Sequence, residues 1–451
     1  MSKLAVRFVC QKCGASFPKW MGRCSTCGEW NGLVEEVAER RAVKGPGSAA
    51  PRAKKASDID TDEAARIPTG IHELDRVLGG GAVQGGVTLV GGDPGVGKST
   101  LLLQALAGMA KRGHKTLYVS GEESASQTAA RARRIGGESS EVYVLAENDF
   151  DAIAAVLDDV APAAVVLDSV QTVRVADLES AAGTVSQLRE VATRMVDRAK
   201  RDRIATFLVG HVTKDGVIAG PKVLEHIVDT VLAFEGERGQ AFRTLRTQKN
   251  RFGSATEVGI FEMSGDGLRE VPNPSALFLG ERPRGAAGSV IAATGEGSRS
   301  MLVEVQALVG PVSAGSPRRT ATGVDGTRLA MVLAVLERKV GITVSASDIF
   351  VNLAGGMRVD EPALDLAVAI ALASSARGKA VDPSLVVFGE IGLAGEVRNV
   401  ARSALRLAEA KSMGFTRAIV PSRVAEEVAT GKTDMDVLGV RTIEEAISAS
   451  V

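Results

Sequence analysis

Short apolar runs alternate with amphipathic stretches from about residue 67 onward. Six runs recur, at 87–90, 116–119, 142–145, 163–167, 204–209 and 230–234. Between the fourth and fifth runs, apolar residues recur at helical spacing: Val185, Leu188, Val191, Ala192, Met195, Val196 and Ala199. Strands that alternate with helices predict an α/β domain built on a parallel sheet that is covered on both faces.

This alternation breaks around residues 271–274, and a second domain is expected from 285 to 451. Its sequence pattern predicts both strands and helices. Strands are predicted at 302–309 and 386–391, and helices at 328–339 and 363–376. The second domain is therefore predicted to be α+β.

The first 65 residues differ from the rest in composition. All four cysteines and both tryptophans lie within residues 1–33, which predicts a small separate module. Residues 34–65 are rich in Ala, Lys, Arg, Gly, Pro and Ser, as is typical of a basic flexible linker. The first large domain is then expected to span 66–272.

Composition narrows the function classes. No window approaches the ~18 uninterrupted apolar residues of a membrane span, and the N-terminus lacks the pattern of a secretory signal, so a cytoplasmic protein is expected. The formal net charge is zero, yet residues 1–55 hold eleven Lys and Arg against four Glu. A basic head of this kind is either a nucleic-acid contact or a solvated tail.

The cysteine spacing indicates a metal site. Cys10 and Cys13 form one CxxC pair, and Cys24 and Cys27 form a second. Paired knuckles present four thiolates to a tetrahedral ion, for which zinc is the default. A redox dithiol is disfavoured because no thioredoxin-like helix follows either pair. Three aromatic residues are expected to cover so small a site, namely Phe17, Trp20 and Trp30.

A phosphate-binding loop connects the first apolar run to a helix-like stretch. The loop and the start of its helix comprise Gly92, Asp93, Pro94, Gly95, Val96, Gly97, Lys98, Ser99 and Thr100. In this context the glycines turn backbone N–H groups toward phosphates, Lys98 neutralises their charge, and the Ser99 hydroxyl ligates Mg²⁺. The pattern predicts an ATP site, the alternative being a glycine-rich turn without a ligand.

Further carboxylates are expected at the same sheet edge. Asp168 ends the buried run 163–167 and is predicted to hold Mg²⁺ mostly through water, although an Asp here can also cap a turn. Glu122 and Glu123 both follow the run 116–119, so at least one is expected to project from the same sheet edge as the base for the attacking water. Glu122 is favoured, and Glu123 is otherwise part of a surface turn. His211 is either a γ-phosphate sensor or a structural histidine.

A basic pentapeptide, Lys249-Asn-Arg-Phe-Gly253, lies near the end of the first domain. By itself it reads as a solvated hairpin. Lys249 and Arg251, two apart on one strand, are also candidates to reach the triphosphate of a neighbouring subunit as a trans-acting finger.

Together, the four-cysteine head, the phosphate-binding loop and this pentapeptide resemble the bacterial RadA (Sms) family of DNA repair proteins over essentially the whole chain. The resemblance implies a RecA-like ATPase core and supports the roles given to Lys98, Ser99, Glu122 and Asp168. It also implies DNA-stimulated ATP hydrolysis, binding of single-stranded and branched DNA, branch migration, and a hexameric ring. RecA-type recombinase filaments are an implied partner, at a nucleoid-associated location.

The C-terminal portion is similar to the proteolytic domain of Lon proteases, but it departs from their Ser and Lys dyad. Ala363 stands at the nucleophile position within residues 360–365, and Ala404 falls near the lysine position. The resemblance therefore implies a proteolytically inactive domain. Candidate DNA contacts are Arg282, Arg284, Arg299, Arg318, Arg319 and Arg328, unless they are scattered surface arginines.

Three functions follow as hypotheses. The leading one is an ATP-driven motor on DNA. The second is a nucleotide-gated scaffold that recruits repair proteins through the cysteine module without moving along DNA. The third, an ATP-dependent protease, is disfavoured by the missing Ser and Lys.

Overall fold

A computed structural model describes residues 5–10, 14–38, 65–136, 141–211, 223–236, 242–280, 282–283, 285–312, 315–344, 346–356, 358–429 and 434–451. The expected ligand Cys13, the candidate Arg284 and most of the predicted linker lie outside these residues. The chain divides into two compact units, Met1–Val271 and Pro272–Val451.

The cysteine module is a three-stranded antiparallel sheet in the order β2-β1-β3. Its strands are β1 (Ala5–Cys10), β2 (Ser16–Phe17) and β3 (Leu33–Ala38). Along its whole length β3 pairs with β1, from Cys10 opposite Leu33 to Ala5 opposite Ala38. The expectation that the linker begins at 34 is therefore wrong for 34–38. We call the described part of this module, 5–10 and 14–38, the cysteine ribbon.

The rest of the first unit is an α/β domain. Its strands are β4 (Arg66–Ile67), β5 (Ala82–Val83), β6 (Val87–Gly92), β7 (Thr116–Ser120), β8 (Val142–Ala146), β9 (Ala164–Asp168), β10 (Ala205–His211), β11 (Thr230–Glu235), β12 (Phe242–Asn250), β13 (Val258–Ser264) and β14 (Gly267–Glu270). Its helices are α1 (His72–Leu78), α2 (Lys98–Ala110), α3 (Ala125–Arg134), α4 (Phe150–Val160), α5 (Val185–Asp202) and α6 (Val223–Ile227).

Nine of these strands form one sheet, in the order β14-β13-β12-β11-β6-β10-β9-β7-β8. The six strands from β11 to β8 are parallel, as the alternating pattern predicts. Strands β12, β13 and β14 extend one side as an antiparallel meander. The sheet is thus mixed, because connections of two to seven residues join these last strands, whereas segments that contain a helix join the parallel ones.

Both faces of the parallel sheet are buried, since alternate residues of each strand enter different apolar clusters. On β9, Ala164 and Val166 pack with residues of α1 and α2, whereas Val165 and Leu167 pack with α4 and α5. Every residue of β9 is buried. Burial on both faces explains why these strands appear in the sequence as near-continuous apolar runs.

The second unit is also mixed. Its strands are β15 (Ser289–Glu296), β16 (Arg299–Pro311), β17 (Arg319–Thr322), β18 (Ser347–Leu353), β19 (Leu385–Val387), β20 (Glu390–Ile391), β21 (Val397–Arg398), β22 (Arg417–Pro421) and β23 (Asp436–Val440). Its helices are α7 (Pro274–Leu279), α8 (Gly326–Val335), α9 (Asp365–Arg377), α10 (Ser403–Ser412), α11 (Ser422–Ala429) and α12 (Ile443–Ser450).

Seven of these strands form a sheet in the order β17-β18-β16-β15-β19-β22-β23. Two expectations change here. The unit begins at Pro272 and not at 285, because α7 packs against β16. The strand predicted at 386–391 is interrupted, with β19 in the large sheet and β20 in a hairpin with β21.

Among the described residues, no helix has the length and apolar character needed to cross a membrane.

Candidate functional site

The phosphate-binding loop joins β6 to α2 at the carboxyl edge of the sheet. Asp93, Pro94 and Gly95 are exposed, whereas Val96 is buried and anchors the loop in the core. Gly97 precedes α2 with φ +114°, and a Cβ there would lie 2.9 Å from Cε of Met263, so only glycine fits. Among the described side chains, none caps the amino terminus of α2. Its first N–H groups are thus available to bind an anion.

Lys98 is the first residue of α2 and is buried. Its Nζ donates to the carbonyl oxygens of Gly92, at 2.8 Å, and Asp93, at 3.0 Å. Burial lowers the pKa of Lys98, while the charges of Asp168, Asp93 and Glu122 act to raise it. The ammonium therefore sits at the loop among three carboxylates. Ser99 and Thr100 occupy the first turn of the same helix.

Asp168 ends β9 and is held by a tyrosine from the adjacent strand. The hydroxyl of Tyr118 donates to Oδ2 of Asp168. Tyr118 is buried, and burial together with the charge of Asp168 raises its pKa, so it remains a protonated donor. Ser99 acts on the same hydroxyl in the opposite direction and partly offsets the rise in the pKa of Tyr118. Tyr118 is thus close to both predicted Mg²⁺ ligands.

The two candidate base residues have different partners. Oε1 of Glu122 accepts a 2.5 Å hydrogen bond from the hydroxyl of Ser169, which is fully buried and follows Asp168. Glu123 instead forms an ion pair with Arg131 of α3, and its backbone N–H donates to Oγ of Ser120 at 2.9 Å. Only Glu122 is thus held toward Asp168.

Strand register explains why these groups meet. Ser120 lies opposite Asp168, and His211 lies opposite Gly92. The carboxyl ends of β6, β10, β9 and β7 therefore share one edge, which brings together Lys98, Asp168 and Glu122. The backbone of His211 is at this edge, but its side chain lies outside what the structure describes.

The basic pentapeptide lies at the opposite edge. Lys249 pairs with Val231 on β11. Thr230, the residue before Val231, lies opposite Thr88 near the start of β6. Lys249 is thus level with Leu89, three residue steps before Gly92, which at ~3.3 Å per residue is about 10 Å along the strand. Asp229, the partner of Arg251, accepts from the N–H of Val87, five steps or about 16 Å from Gly92. Both cations therefore lie away from the phosphate-binding loop of their own subunit.

Each of these two cations has a local partner. Nζ of Lys249 donates to the backbone oxygens of Glu225, at 2.5 Å, and Val228, at 2.7 Å, at the end of α6. Burial lowers the pKa of Lys249. Arg251 pairs with Asp229 at 3.1 Å, yet its side chain is 53% exposed. The sequence-based view of both residues on one strand face is incorrect, because β12 ends at Asn250 and Arg251 lies in the turn beyond it.

Three of the four cysteines converge in the ribbon. The Sγ atoms of Cys10, Cys24 and Cys27 lie within 4.8 Å of one another, and those of Cys10 and Cys27 are 3.6 Å apart. Sulfurs bound at about 2.3 Å around a tetrahedral zinc are ~3.8 Å apart. The donor set and its spacing therefore fit such an ion.

Both cysteine pairs adopt the turn that a metal knuckle requires. The N–H of Gly14 donates to the oxygen of Cys10, and that of Gly28 to the oxygen of Cys24, each at 2.8 Å. Both glycines have positive φ, +73° and +77°. The expectation for the aromatic residues is only partly met: Phe17 packs against the cysteine cluster, whereas Trp20 and Trp30 are exposed.

A buried core residue stands at the position of the protease nucleophile, and an ion pair lies close to it in the sequence. Ala363 is fully buried. Two residues on, Asp365 accepts from Nε of Arg328 at 2.9 Å and from the N–H of Ile391 at 3.2 Å. Arg328 also lies 3.5 Å from a carboxylate oxygen of Glu390. Arg328 thus has a structural role, contrary to its proposed role as a surface DNA contact.

The other candidate arginines are dispersed. Arg299 donates to the oxygen of Pro272, and Arg282 donates to that of Pro383 at 2.6 Å. Arg318 and Arg319 lie at the start of the edge strand β17. The five candidates among the described residues thus lie on different elements.

Sequence reasoning missed Tyr118 and Ser169, which orient Asp168 and Glu122. Because Ser169 directly follows Asp168 in the sequence, its position could have identified it as a residue of the site. Tyr118 lies inside an apolar strand, and no local pattern separates it from a core residue.

Comparisons with known protein families divide the chain in the same order. Residues 51–217 match the AAA domain, residues 324–424 match subunit ChlI of Mg-chelatase, and residues 8–35 match a rubredoxin metal-binding domain.

Three relatives illustrate the similarity to individual proteins. The chain is 48% identical to the DNA repair protein RadA of Halalkalibacterium halodurans over 458 residues, which cover all of both chains. It is 48% identical to the DNA repair protein RadA of Bacillus subtilis over 457 residues, again with full coverage. With the DNA repair protein RadA of Brucella abortus, identity is 50% over 437 residues and 94% of each chain.

Proposed function

The chain belongs to the family of the DNA repair protein RadA, and we propose that it is a DNA-stimulated ATP hydrolase that processes recombination intermediates. It binds single-stranded and branched DNA and promotes branch migration of strand-exchange products. It works as a homo-hexameric ring in the cytoplasm at the nucleoid, alongside RecA-type recombinase filaments. The convergence of Lys98, Asp168 and Glu122 at one sheet edge carries this proposal.

Each residue of the site has a distinct task. The loop 92–97 and the amino end of α2 bind the phosphates, and Lys98 neutralises their charge. Mg²⁺ bound by Ser99 and, through water, by Asp168 would offset charge that develops on the phosphates. Glu122, held by Ser169, accepts a proton from the attacking water.

The two glutamates give a direct test of the base. Glu122→Gln is expected to lower ATP turnover by about 10²–10³-fold with unchanged nucleotide affinity, because the amide cannot accept the proton. Glu123→Gln is the matched control and should cost less than about threefold, since it removes only a surface ion pair with Arg131. Steady-state turnover and equilibrium nucleotide binding measure both. Equal losses in the two variants would reject Glu122 as the base.

Arg251 completes the site of a neighbouring subunit. Its own phosphate-binding loop is at the far edge of the sheet, and its guanidinium is half exposed, so it is available to a second copy. Lys249 is bound by the carbonyl oxygens at the end of α6 and supports the pentapeptide from within. Arg251 is therefore a better candidate than Lys249 for the residue that reaches the nucleotide of a neighbouring subunit.

Mixing inactive variants tests a finger that acts in trans. Arg251→Ala is expected to reduce turnover by about 10³-fold or more, because the finger is lost. Mixed with Lys98→Ala, it should regain measurable turnover, since one interface in a mixed ring pairs an intact loop with an intact Arg251. Arg246→Ala, which removes a cation of β12 that pairs with Glu235, is the control and should retain activity. Mixtures no more active than their components would contradict the assignment.

The C-terminal domain is a ring-forming or DNA-binding platform without protease activity. Ala363 has no nucleophilic atom, and the adjacent Asp365 is committed to Arg328. An ATP-dependent protease therefore remains the least favoured alternative. Cleavage of casein that depends on ATP would revive it.

The cysteine ribbon holds Zn²⁺ through Cys10, Cys24, Cys27 and, from the sequence, Cys13. The three described thiols are spaced as tetrahedral ligands require.

Stimulation of turnover by DNA tests the coupling of the ATP site to DNA. Single-stranded DNA is expected to raise ATP turnover several-fold, because a motor hydrolyses productively when its track is bound. A protein that binds DNA but turns over ATP at an unchanged rate would favour the alternative, a nucleotide-gated scaffold.

A further inference from the structure

Two exposed indoles mark a surface of the cysteine ribbon that has no assigned role. The side chains of Trp20 and Trp30 are 55% and 68% exposed. The apolar cluster of the ribbon consists of Cys10, Cys24 and Leu33, with Phe8, Ala15, Phe17 and Met21 packed against it. Within the described ribbon, neither indole belongs to this cluster. Large exposed aromatic rings that do not support a core mark a binding surface.

Both rings border one glycine. A Cβ at Gly22 would lie 3.8 Å from Cη2 of Trp20 and 3.9 Å from Cζ3 of Trp30. The backbone holds this arrangement, because the N–H of Asn31 donates to the oxygen of Gly22 at 2.8 Å and Arg23 pairs with Trp30 in an antiparallel bridge. We call Trp20, Gly22, Arg23 and Trp30 the indole platform.

Positive charge accompanies the platform. The guanidinium carbon of Arg23 lies 5.7 Å from the ring centroid of Trp30, and Nε of Arg23 donates to the oxygen of Gly28 at 3.0 Å. Lys19, next to Trp20, is exposed. Aromatic rings beside cations match a ligand that has both flat faces and phosphates.

We propose that the indole platform binds single-stranded nucleic acid, with unpaired bases stacked on Trp20 and Trp30 and the backbone phosphates near Lys19 and Arg23. A duplex is excluded from this mode because its base faces are already stacked. A protein surface would match the indoles but gives no reason for the flanking cations. The inference rests on the proposed function for the presence of single-stranded DNA, and it adds a contact outside the ATPase core.

The sequence offers a direct readout, since Trp20 and Trp30 are its only tryptophans. Selective excitation of tryptophan in the full-length, zinc-loaded protein therefore reports on the platform alone. Oligothymidylate is expected to quench this emission, because a base stacked on an indole quenches it. Anisotropy of a labelled oligothymidylate measures total binding in parallel.

Variants link the signal to affinity. Trp20→Ala and Trp30→Ala are each expected to weaken oligothymidylate binding by about tenfold, whereas the Phe replacements should retain most of it, since a phenyl ring still stacks. Tyr143→Ala is the control, an exposed aromatic residue on β8, outside the ribbon. Zinc content, measured for each variant, separates loss of stacking from loss of the ribbon fold.

The outcomes are distinct. Oligothymidylate binding with unchanged tryptophan emission would overturn the platform and leave the proposed function intact. Absence of binding by anisotropy would instead overturn the DNA-binding part of the proposed function. Emission that ignores oligothymidylate but responds to a RecA-type recombinase would reassign the platform to a protein partner.

Discussion

Lys98→Ala is expected to abolish ATP turnover, with a loss of at least about a thousandfold. The ammonium lies at the phosphate-binding loop, among Asp93, Glu122 and Asp168. Its removal leaves the charge on the phosphates uncompensated beside these three carboxylates. Steady-state phosphate release by the purified variant measures the effect.

The control for this experiment is Lys111→Ala, at the carboxyl end of the same helix. Lys111 is exposed, so its replacement should change neither turnover nor thermal stability appreciably. Lys98→Ala should also keep the wild-type melting temperature within a few degrees, because the lysine bonds only to its own loop. Normal turnover in Lys98→Ala would reject residues 92–99 as the hydrolysis site.

Loss of one ribbon cysteine is expected to unfold the ribbon. Binding of zinc contributes about 10–16 kcal/mol to the folding of comparable small domains, and in the described part of the ribbon the apolar cluster has three buried members, two of them cysteines. Cys10→Ser should therefore lose its zinc and change the emission of both tryptophans, because the contacts of the indoles with Arg23 and beside Gly22 are lost with the fold. Metal content and tryptophan emission measure the two effects.

Ser25→Ala is the matched control, since Ser25 lies between Cys24 and Cys27 and is exposed. It should retain one zinc per chain. Basal ATP turnover should survive in Cys10→Ser, because the nucleotide-site residues lie outside the ribbon. A Cys10→Ser protein that keeps zinc and native emission would contradict the metal assignment.

The parallel part of the fold could be predicted from the sequence because burial on both faces leaves uninterrupted apolar runs. The boundaries of two elements, β3 and α7, were not predicted, because their residues also fit other structures or form too short an element. Glu35 and Glu36 made β3 look like the start of a linker, although the strand is specified by its pairing with β1. Helix α7 had a local signal, since Asn273 caps it and Pro274 occupies its first turn, but it is too short for periodicity to show.

The sequence predicts those residues of the site whose role depends on their position directly after a strand. Lys98, Ser99 and Asp168 are located by the strands they follow. The partners of Lys249 were not predictable, because backbone carbonyl oxygens on α6 have no residue-specific signal. The distinction between Glu122 and Glu123 likewise required the fold, since it depends on Ser169, 47 residues from Glu122, and on the helix that carries Arg131.

We propose that ATP hydrolysis at this site drives movement on recombining DNA. The most direct measurement is branch migration of a preformed, labelled three-strand intermediate, with Lys98→Ala as the matched inactive protein. We predict that the wild-type protein extends the heteroduplex with ATP, and that it fails with a non-hydrolysable analogue, as does Lys98→Ala with ATP. Equal extension by Lys98→Ala and wild type would contradict the account.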